Sequence, residues 1–268
     1  MAHDASHYLL TPRAVVTPTS AGQVASLLRG AARSGVPLTF RSGGTSLSGQ
    51  AGTDQVLVDT RHFRDITVLD DGRRVRTGPG ATVRQVNQRL ARSGYKLGPD
   101  PASEIACTVG GVIANNSSGM ACGTEFNTYR TLASAVLVLP SGTTLDTARP
   151  DGDRQLAAQE PALYAGLGRL RDRVRANPAS VKPLQQQFSL KNTMGYGLNA
   201  FLDHTDPIDI LLHLVIGSEG TLAFVADATW RTVPVNRTWP PDCSSFATFG
   251  RLRPPCRTWW LPGSPPSS

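Results

Sequence analysis

A glycine-rich loop that directly follows a short apolar strand sets the first limit on how this chain can fold. Residues 39–50 read TFRSGGTSLSGQ, in which three glycines and several hydroxyl side chains accompany a single charged residue, Arg41. Because glycine permits positive φ and the close approach of a ligand, successive backbone N–H groups in such a loop can point into one concavity. A concavity of this kind favours anions, above all phosphate. The alternative is an ordinary turn in which the glycines serve only the backbone geometry.

The loop belongs to a predicted β-α-β unit. Residues 14–16 and 37–40 predict strands, and apolar side chains recur at helical spacing over residues 24–31 until Gly35 ends the pattern. A third strand is predicted at residues 56–58. Since ligands of open α/β sheets bind beyond the strand ends, the position of the loop is typical of a binding site.

The rest of the chain mixes strands with helices, so we predict an α+β fold. Asp71 and Gly72 form a hairpin signal between two short strands. The predicted strands are residues 66–69, 74–77, 135–139 and 222–226, and the predicted helices are residues 82–93 and 163–174.

Composition excludes several function classes. The net charge of +7 includes +3 from residues 236–268, and the remaining +4 is scattered, so no nucleic-acid interface is predicted. The four cysteines show neither C-x-x-C spacing nor nearby histidines, so we expect no metal site and no disulfide framework. No apolar run is long enough for a membrane helix and the N-terminus does not resemble a secretory signal, so a cytoplasmic location is expected.

Two further segments are rich in glycine and hydroxyl side chains. They are residues 98–119, GPDPASEIACTVGGVIANNSSG, and residues 216–225, IGSEGTLAFV. Three separated segments rich in backbone donors suit a long ligand with a pyrophosphate and a flat polar ring system, as in a dinucleotide. Neither a P-loop nor a Rossmann fingerprint is present in the sequence.

These segments, in their order along the chain, carry a resemblance to a known family. RSGGTSLSGQ, GPGATVRQVNQRL, PDPAS…TVGGVIANNSSG, KNTMGYGLN and IGSEGTLAFV resemble the FAD-binding domain of the vanillyl-alcohol oxidase/p-cresol methylhydroxylase (PCMH-type) superfamily. The chain is most similar to the D-lactate dehydrogenase and glycolate oxidase FAD-subunit branch. The resemblance covers residues 8–235 and implies a PCMH-type domain of two α+β subdomains, residues 8–62 and residues 63–235, with the cap (substrate) domain absent.

The resemblance implies an FAD site. Covalent members of the superfamily often carry a histidine directly after the paired loop glycines, where this chain has Thr45, so the FAD is expected to be non-covalent. Arg41, Ser42, Gly43, Gly44, Thr45 and Ser46 are expected at the pyrophosphate. Pro101, Ser103, Thr108, Gly110, Gly111, Asn115, Gly119, Gly217, Ser218, Glu219 and Gly220 are expected along the rest of the cofactor.

The resemblance also implies a 2-hydroxy-acid substrate whose α carbon gives a hydride to flavin N5. That reaction needs a base, which relatives take largely from the cap domain. Lys191, Asn192 and Tyr196 resemble residues near the flavin in relatives and are candidates for substrate contact, although a solvated loop with a buried tyrosine remains the alternative. His62 is interpreted as a surface or strand-end histidine. A cap-domain or iron–sulfur partner polypeptide is a further implied possibility.

Residues 236–268 differ in composition from the rest of the chain. They are rich in proline and serine and show no helical or strand periodicity, which predicts either a disordered extension or a frameshifted tail. Reading residues 243–268 from shifted codons gives an apolar run followed by an amphipathic, alanine-rich pattern. We therefore predict an FAD-binding fragment of a D-lactate-like dehydrogenase. The alternatives are a non-catalytic flavin-binding module, an inactive truncated gene product, or a superfamily enzyme acting on sugars or lactones.

Overall fold

The computed structural model describes residues 1–235 of the 268-residue chain. The predictions for residues 236–268, including the frameshift, lie outside the described residues. Helices and sheets mix throughout the described part, which confirms the α+β fold class. The proposed division at residues 62 and 63 stays a prediction.

A three-stranded parallel sheet forms the N-terminal part. Its strands are β1 (Ala14–Val16), β2 (Leu38–Arg41) and β3 (Val56–Asp59), in the order β1-β3-β2. Helix α1 (Ala21–Ser34) connects β1 to β2. It begins where the Ser20 side chain accepts a hydrogen bond from the Gln23 N–H, and it ends at Gly35, which has a φ of 66°. The predicted β-α-β unit is therefore confirmed, with β2 running directly into the glycine loop.

A five-stranded antiparallel sheet forms the larger part, in the order β4-β5-β9-β7-β8. Its strands are β4 (Ile66–Leu69), β5 (Arg74–Thr77), β7 (Leu132–Val138), β8 (Thr144–Asp146) and β9 (Phe224–Arg231). A separate two-stranded pair consists of β6 (Tyr95–Lys96) and β10 (Val233–Pro234).

The remaining helices surround this sheet. They are α2 (Val83–Leu90), α3 (Val109–Asn115), α4 (Thr128–Thr131), α5 (Gly152–Gln159), α6 (Pro161–Arg175), α7 (Pro178–Ser189), α8 (Ala200–Asp203) and α9 (Pro207–Val215). Trp230 of β9, Leu137 of β7 and Ile210 of α9 are fully buried in one continuous apolar core. Within the described residues, no helix is long and apolar enough to cross a membrane.

A smaller apolar cluster joins the two sheets. Phe224 of the large sheet stacks on Phe40 of the small sheet, with ring centroids 5.2 Å apart, and meets Phe63 edge-on at 5.5 Å. Val24 of α1 is fully buried in the same cluster. Phe40, near the end of β2, therefore packs against the larger sheet, and the glycine loop begins directly after β2.

The structure corrects three local predictions. The predicted strand at residues 222–226 instead begins at Phe224 and runs to Arg231. Residues 109–115, which lie in the glycine-rich segment 98–119 and were not predicted to be helical, form helix α3. The predicted helix at residues 82–93 becomes α2 followed by a 3₁₀ turn over Ala91–Ser93, and it ends at Gly94 as expected.

Candidate functional site

The glycine loop presents a run of unused backbone donors. None of the N–H groups of residues 42–46 donates a hydrogen bond to another described residue. The Gly44 carbonyl, in contrast, accepts from the Ala5 N–H at 3.0 Å. Backbone N–H groups are strong donors that folded proteins rarely leave without a partner. These five successive N–H groups are therefore available to an acceptor on a ligand.

The loop glycines are required by geometry. A Cβ added to Gly43 would lie 2.5 Å from the Ala106 carbonyl oxygen, so only glycine allows the loop to approach residues 106–108. Gly44 has a φ of 65°, in the left-handed region that other residues rarely adopt. The paired glycines thus bring the loop against the second glycine-rich segment.

A cavity of about 380 Å³ lies where the three glycine-rich segments meet. Fourteen of the seventeen predicted cofactor residues line this cavity. The fold thus brings together parts of the chain that are almost two hundred positions apart in the sequence. They are Arg41, Ser42, Gly43, Gly44, Thr45, Ser46, Ser103, Thr108, Gly110, Gly111, Asn115, Ser218, Glu219 and Gly220.

Helix α3 forms one wall of the cavity through its first turn. The Thr108 side chain caps the helix by accepting a hydrogen bond from the Gly111 N–H, at 3.5 Å. The Val109 and Gly110 N–H groups donate to carbonyls of residues 81 and 79, at 2.8 and 2.9 Å. Because these donors are already engaged, an anion in the cavity would find its backbone partners in the glycine loop rather than at the helix.

The third segment contributes a hydroxyl without a partner. The Ser218 side chain is buried, lines the cavity, and its Oγ finds no hydrogen-bond partner among residues 1–235. Beside it, the Glu219 carboxylate accepts from Asn115 Nδ2 at 2.8 Å, which ties the segment to α3. An unpartnered buried hydroxyl costs free energy unless a bound group satisfies it.

Arg41 lines the cavity and also contacts the N-terminal segment. The residue lines the cavity, but its guanidinium donates hydrogen bonds to the backbone carbonyls of Met1 and His3. Two of its N–H donors are therefore engaged by the N-terminal segment of the chain, while its charge remains without an acidic partner in the described residues. The remaining ionisable groups on the cavity wall are Glu219 and Cys107, and burial raises the pKa of the Cys107 thiol, which keeps it protonated.

Three of the predicted residues lie away from the cavity lining. Gly119 pairs with Asp100 in an isolated parallel bridge, and Gly217 approaches the Gly195 carbonyl with a φ of 80°. Pro101 is buried in the turn that precedes Ser103. These three residues belong to the segments that form the cavity, but they do not line its surface.

The three substrate-contact candidates also lie outside this cavity. Lys191 Nζ donates to the Gly119 carbonyl. Tyr196 is partly exposed, and its hydroxyl lies 2.7 Å from Thr221 Oγ1, which in turn donates to the Ser218 carbonyl at 2.6 Å. Asn192 lines a second, separate cavity. His62 is exposed, as predicted.

Sequence reasoning missed part of the cavity wall. Phe224 and Val225 lay inside a segment that the sequence singled out, but their apolar character gave no signal for a ligand. Pro79 lines the cavity from the turn before α2, and Leu47 and Gln50 extend the predicted loop lining. Among the described residues, no group of three or more metal-ligating side chains is gathered in one place.

Comparison with known proteins identifies the fold. Residues 12–148, just over half of the chain, match the family described as FAD binding domain. This chain belongs to that family. As an FAD-binding domain, it is 29% identical over 236 residues to a D-lactate dehydrogenase of Archaeoglobus fulgidus, covering 85% of this chain and 42% of that protein. It is 33% identical over 237 residues to a D-2-hydroxyglutarate dehydrogenase of Escherichia coli, covering 85% of this chain and 23% of that protein.

Solved structures show the same fold. The FAD-binding domain superposes on 6-hydroxy-D-nicotine oxidase from Arthrobacter nicotinovorans with a TM-score of 0.57 and 18% identity, covering 87% of this chain and 39% of that one. An alkyldihydroxyacetonephosphate synthase gives a TM-score of 0.53 at 19% identity, covering 83% of this chain and 32% of that one. The chain thus spans less than half the length of the relatives it matches.

The cavity fits the cofactor of this family. FAD carries a pyrophosphate, and the unused N–H groups of residues 42–46 offer the donors that such a diester needs. Ser218, whose buried Oγ has no hydrogen-bond partner among residues 1–235, also lines the cavity. The backbone is also accessible at Gly111 and Gly220. A Cβ added to Gly111 would meet only Thr108 Oγ1, at 3.5 Å, and a Cβ added to Gly220 would meet nothing within 4 Å.

Proposed function

We propose that this chain is the FAD-binding part of a flavin-dependent dehydrogenase that oxidises D-lactate or a related 2-hydroxy acid, and that it holds FAD without a covalent bond. The observation that carries the proposal is the cavity itself, which all three glycine-rich segments line and which includes residues 42–46, whose N–H groups donate to no described residue. The similarity to dehydrogenases of D-lactate and D-2-hydroxyglutarate supports the substrate class.

The residues of the cavity have distinct roles in this proposal. The N–H groups of residues 42–46 donate hydrogen bonds to the pyrophosphate, and Ser218 donates its hydroxyl hydrogen to the cofactor. Thr45 contacts the cofactor but cannot form the bond that a histidine makes in covalent relatives. Phe40 and Phe224 supply an apolar wall that excludes water from one side of the cavity. Bound FAD supplies a hydride acceptor for the carbon that carries the substrate hydroxyl.

The base for that reaction lies outside the described cavity. Among the described residues that line it, none is a histidine or a lysine, and the only carboxylate, Glu219, already accepts from Asn115. Removing the hydroxyl proton needs a group within hydrogen-bond reach of the substrate. We therefore propose that a substrate-binding polypeptide, a cap domain or a partner subunit, completes the site.

The test is to incubate the purified chain with FAD, remove unbound FAD by desalting, and record the flavin absorbance before and after D-lactate. We expect retained flavin, and an acid precipitate whose pellet is colourless because the FAD is released. A pellet that stays yellow would contradict the non-covalent proposal. Flavin that is retained but not bleached by D-lactate would favour a binding module that is inactive without its partner.

A pair of glycine variants separates specific binding from non-specific retention. Gly43→Ala places a Cβ 2.5 Å from the Ala106 carbonyl, whereas Gly30→Ala on α1 meets nothing within 4 Å. We expect Gly43→Ala to lower FAD affinity by at least about tenfold, the cost of losing one or more hydrogen bonds to a charged group. Gly30→Ala should retain the wild-type affinity. Equal affinities would show that the glycine loop does not hold the cofactor.

A further inference from the structure

The N-terminal segment, residues 1–10, contacts the glycine loop from outside the first cavity. The segment folds back on itself through an isolated antiparallel bridge between His3 and Leu9, and the Leu10 N–H donates to the Ala2 carbonyl at 3.2 Å. Among the described residues that line the first cavity, none belongs to this segment. The segment can therefore act on the loop without occupying the space proposed for the cofactor.

The first contact lies at Gly44, the central residue of the run of unused N–H groups. The Ala5 N–H donates to the Gly44 carbonyl at 3.0 Å. A Cβ added to Gly44 would lie 2.8 Å from Arg41 Nε and 2.9 Å from Arg41 Nη2, so the guanidinium packs directly against the Gly44 backbone. Gly44 is therefore held both by the N-terminal segment and by the Arg41 side chain.

The N-terminal segment also holds the Arg41 side chain. Arg41 Nη1 donates to the Met1 carbonyl at 2.8 Å, and Nη2 donates to the His3 carbonyl. Because the donors of a guanidinium form a rigid planar fork, two acceptors fix its orientation. Among the described residues that line the first cavity, Arg41 is the only arginine, lysine or histidine. The segment thus fixes the position of this cationic side chain.

A second contact lies toward the far end of the glycine loop. A Cβ added to Gly49 would lie 2.5 Å from Tyr8 Cδ2, so the tyrosine ring packs against the backbone there. Just beyond the loop, a Cβ added to Gly52 would lie 3.6 Å from Leu10 Cδ1. The segment therefore restrains the chain on both sides of residues 45–48.

Restraint from outside matters because the loop offers its N–H groups to no described residue. Folded proteins ordinarily fix their backbone through such hydrogen bonds, and glycine loses more conformational freedom on ordering than any other residue. A loop that is ordered before its ligand arrives does not lose this freedom on binding. The N-terminal segment engages one carbonyl and one side chain, and it leaves the N–H groups of residues 42–46 available.

We infer that residues 1–10 form a clamp that holds the glycine loop and Arg41 in position for the pyrophosphate of the cofactor. This inference rests on the FAD site proposed above. Ala5, whose N–H reaches the Gly44 carbonyl, is a positioning residue in this clamp. The clamp increases FAD affinity by ordering the loop in advance, without contacting the cofactor.

Ala5→Pro tests the clamp in the chain without FAD, because proline has no backbone N–H to donate to Gly44. Ala5→Ser is the matched control, since it keeps the N–H at the same exposed position. In the ¹⁵N-labelled full chain, the ¹H–¹⁵N heteronuclear NOE of residues 42–46 should fall toward the values of a flexible backbone in Ala5→Pro and stay unchanged in Ala5→Ser. An unchanged NOE in Ala5→Pro would overturn the inference, whether or not the chain binds FAD.

Isothermal titration calorimetry with FAD then tests the consequence for binding. We expect Ala5→Pro to bind FAD at least about fivefold more weakly, the equivalent of one net hydrogen bond, and Ala5→Ser to bind as the wild type does. If the wild-type chain binds FAD and Ala5→Pro binds it equally well, the clamp has no role in holding the cofactor. If the wild-type chain does not bind FAD, the proposed function fails, whereas a lower NOE in Ala5→Pro would still support a clamp on the loop.

Arg41→Lys tests the second part of the clamp, because lysine keeps the charge but lacks the fork that bridges two carbonyls. Arg13→Lys, at an exposed position, is its control and should leave FAD affinity unchanged. If both substitutions act on one clamp, the double variant Ala5→Pro/Arg41→Lys should weaken FAD binding by less than the product of the two single effects. Effects that multiply would show that Arg41 acts independently of the segment.

The free energy of unfolding distinguishes positioning from a general structural role. Residues 1–10 belong to neither of the apolar clusters of the described chain. We therefore expect Ala5→Pro and Ala5→Ser to unfold at the same denaturant concentration as the wild type. A loss of stability in Ala5→Pro that accounts for its weaker FAD binding would contradict the clamp.

Discussion

The region around the three-stranded sheet buries far less apolar surface of its own than the region around the five-stranded sheet. The larger region has a continuous core that contains Trp230, Leu137 and Ile210. The smaller cluster has four buried members, of which Val138 and Phe224 come from the large sheet and only Val24 and Ala25 from α1. The glycine loop thus belongs to a region that depends on its neighbour for packing. This arrangement places most of the buried apolar core around the larger sheet and the glycine loop beside the smaller one.

The largest effect should come from the core of the larger region. Trp230→Ala removes a fully buried indole from β9, and such truncations cost about 3–5 kcal/mol. We expect chemical denaturation to show a loss of this size in the free energy of unfolding. Val15→Ala on β1, where the side chain is 45% exposed, is the control and should change it by less than about 1 kcal/mol. Similar losses in both variants would remove the distinction between the two regions.

The pH dependence of stability should also originate in the larger region. Burial lowers the pKa of His213 on α9 to about 4, and its ring stacks on His204 with centroids 3.9 Å apart. As the pH falls from the usual value near 6.5 toward 4, the unfolded chain binds a proton that the folded chain does not. Stability therefore decreases with falling pH, by up to about 3 kcal/mol over this window.

Replacing this histidine tests the assignment. His213→Gln should flatten the dependence of the unfolding free energy on pH between 6.5 and 4. The charged and titratable groups that act on His213 are His204, Asp203 and Arg231, and they remain in the variant. His62→Gln, at an exposed position, should leave the slope unchanged. An unaltered slope in His213→Gln would assign the pH dependence to other groups, of which His204 is the first candidate because burial also lowers its pKa.

The contact between the two regions should give a smaller effect. Phe40→Leu keeps apolar volume but removes the aromatic stack on Phe224, and such pairs contribute about 0.5–1.5 kcal/mol beyond their buried area. We expect a loss of that size in stability, together with weaker FAD retention, because both side chains line the first cavity. Phe126→Leu, at a 41% exposed position, is the control. FAD retention that is unaffected in Phe40→Leu would show that this contact does not shape the cofactor site.

The sequence predicted the region around the three-stranded sheet better than the region around the five-stranded sheet. The β-α-β unit was recoverable because its signals are local, with a capping Ser20, a terminating Gly35 and glycines directly after a strand. Helix α3 could not be predicted in this way, because glycines and asparagines disfavour helices. Its first turn is held instead by N–H groups that donate to the carbonyls of residues 79 and 81. The resemblance selected fourteen of the twenty-nine residues that line the cavity, but it gave no sign that the Arg41 guanidinium donates to the carbonyls of Met1 and His3.

The second cavity was beyond sequence reasoning for a related reason. Asn116 and Asn199 both line this cavity although more than eighty positions separate them in the sequence. Only the fold shows that each amide has one end engaged and the other buried without a partner. Asn192 was selected from the sequence as a substrate-contact candidate, and it lines this second cavity.

The smallest expected effect on the protein alone comes from Ser218→Ala. The Oγ atom is buried without a partner in the described residues, so removing it relieves a desolvation cost and should leave the unfolding free energy unchanged or slightly higher without FAD. With FAD bound, the same variant loses one hydrogen bond, so the increase in melting temperature caused by FAD should shrink by the equivalent of about 1 kcal/mol. Ser34→Ala at the exposed end of α1 should change neither quantity. A Ser218→Ala variant that is destabilised without FAD would instead mean that the hydroxyl serves the fold, and that the donors of the first cavity are confined to the glycine loop.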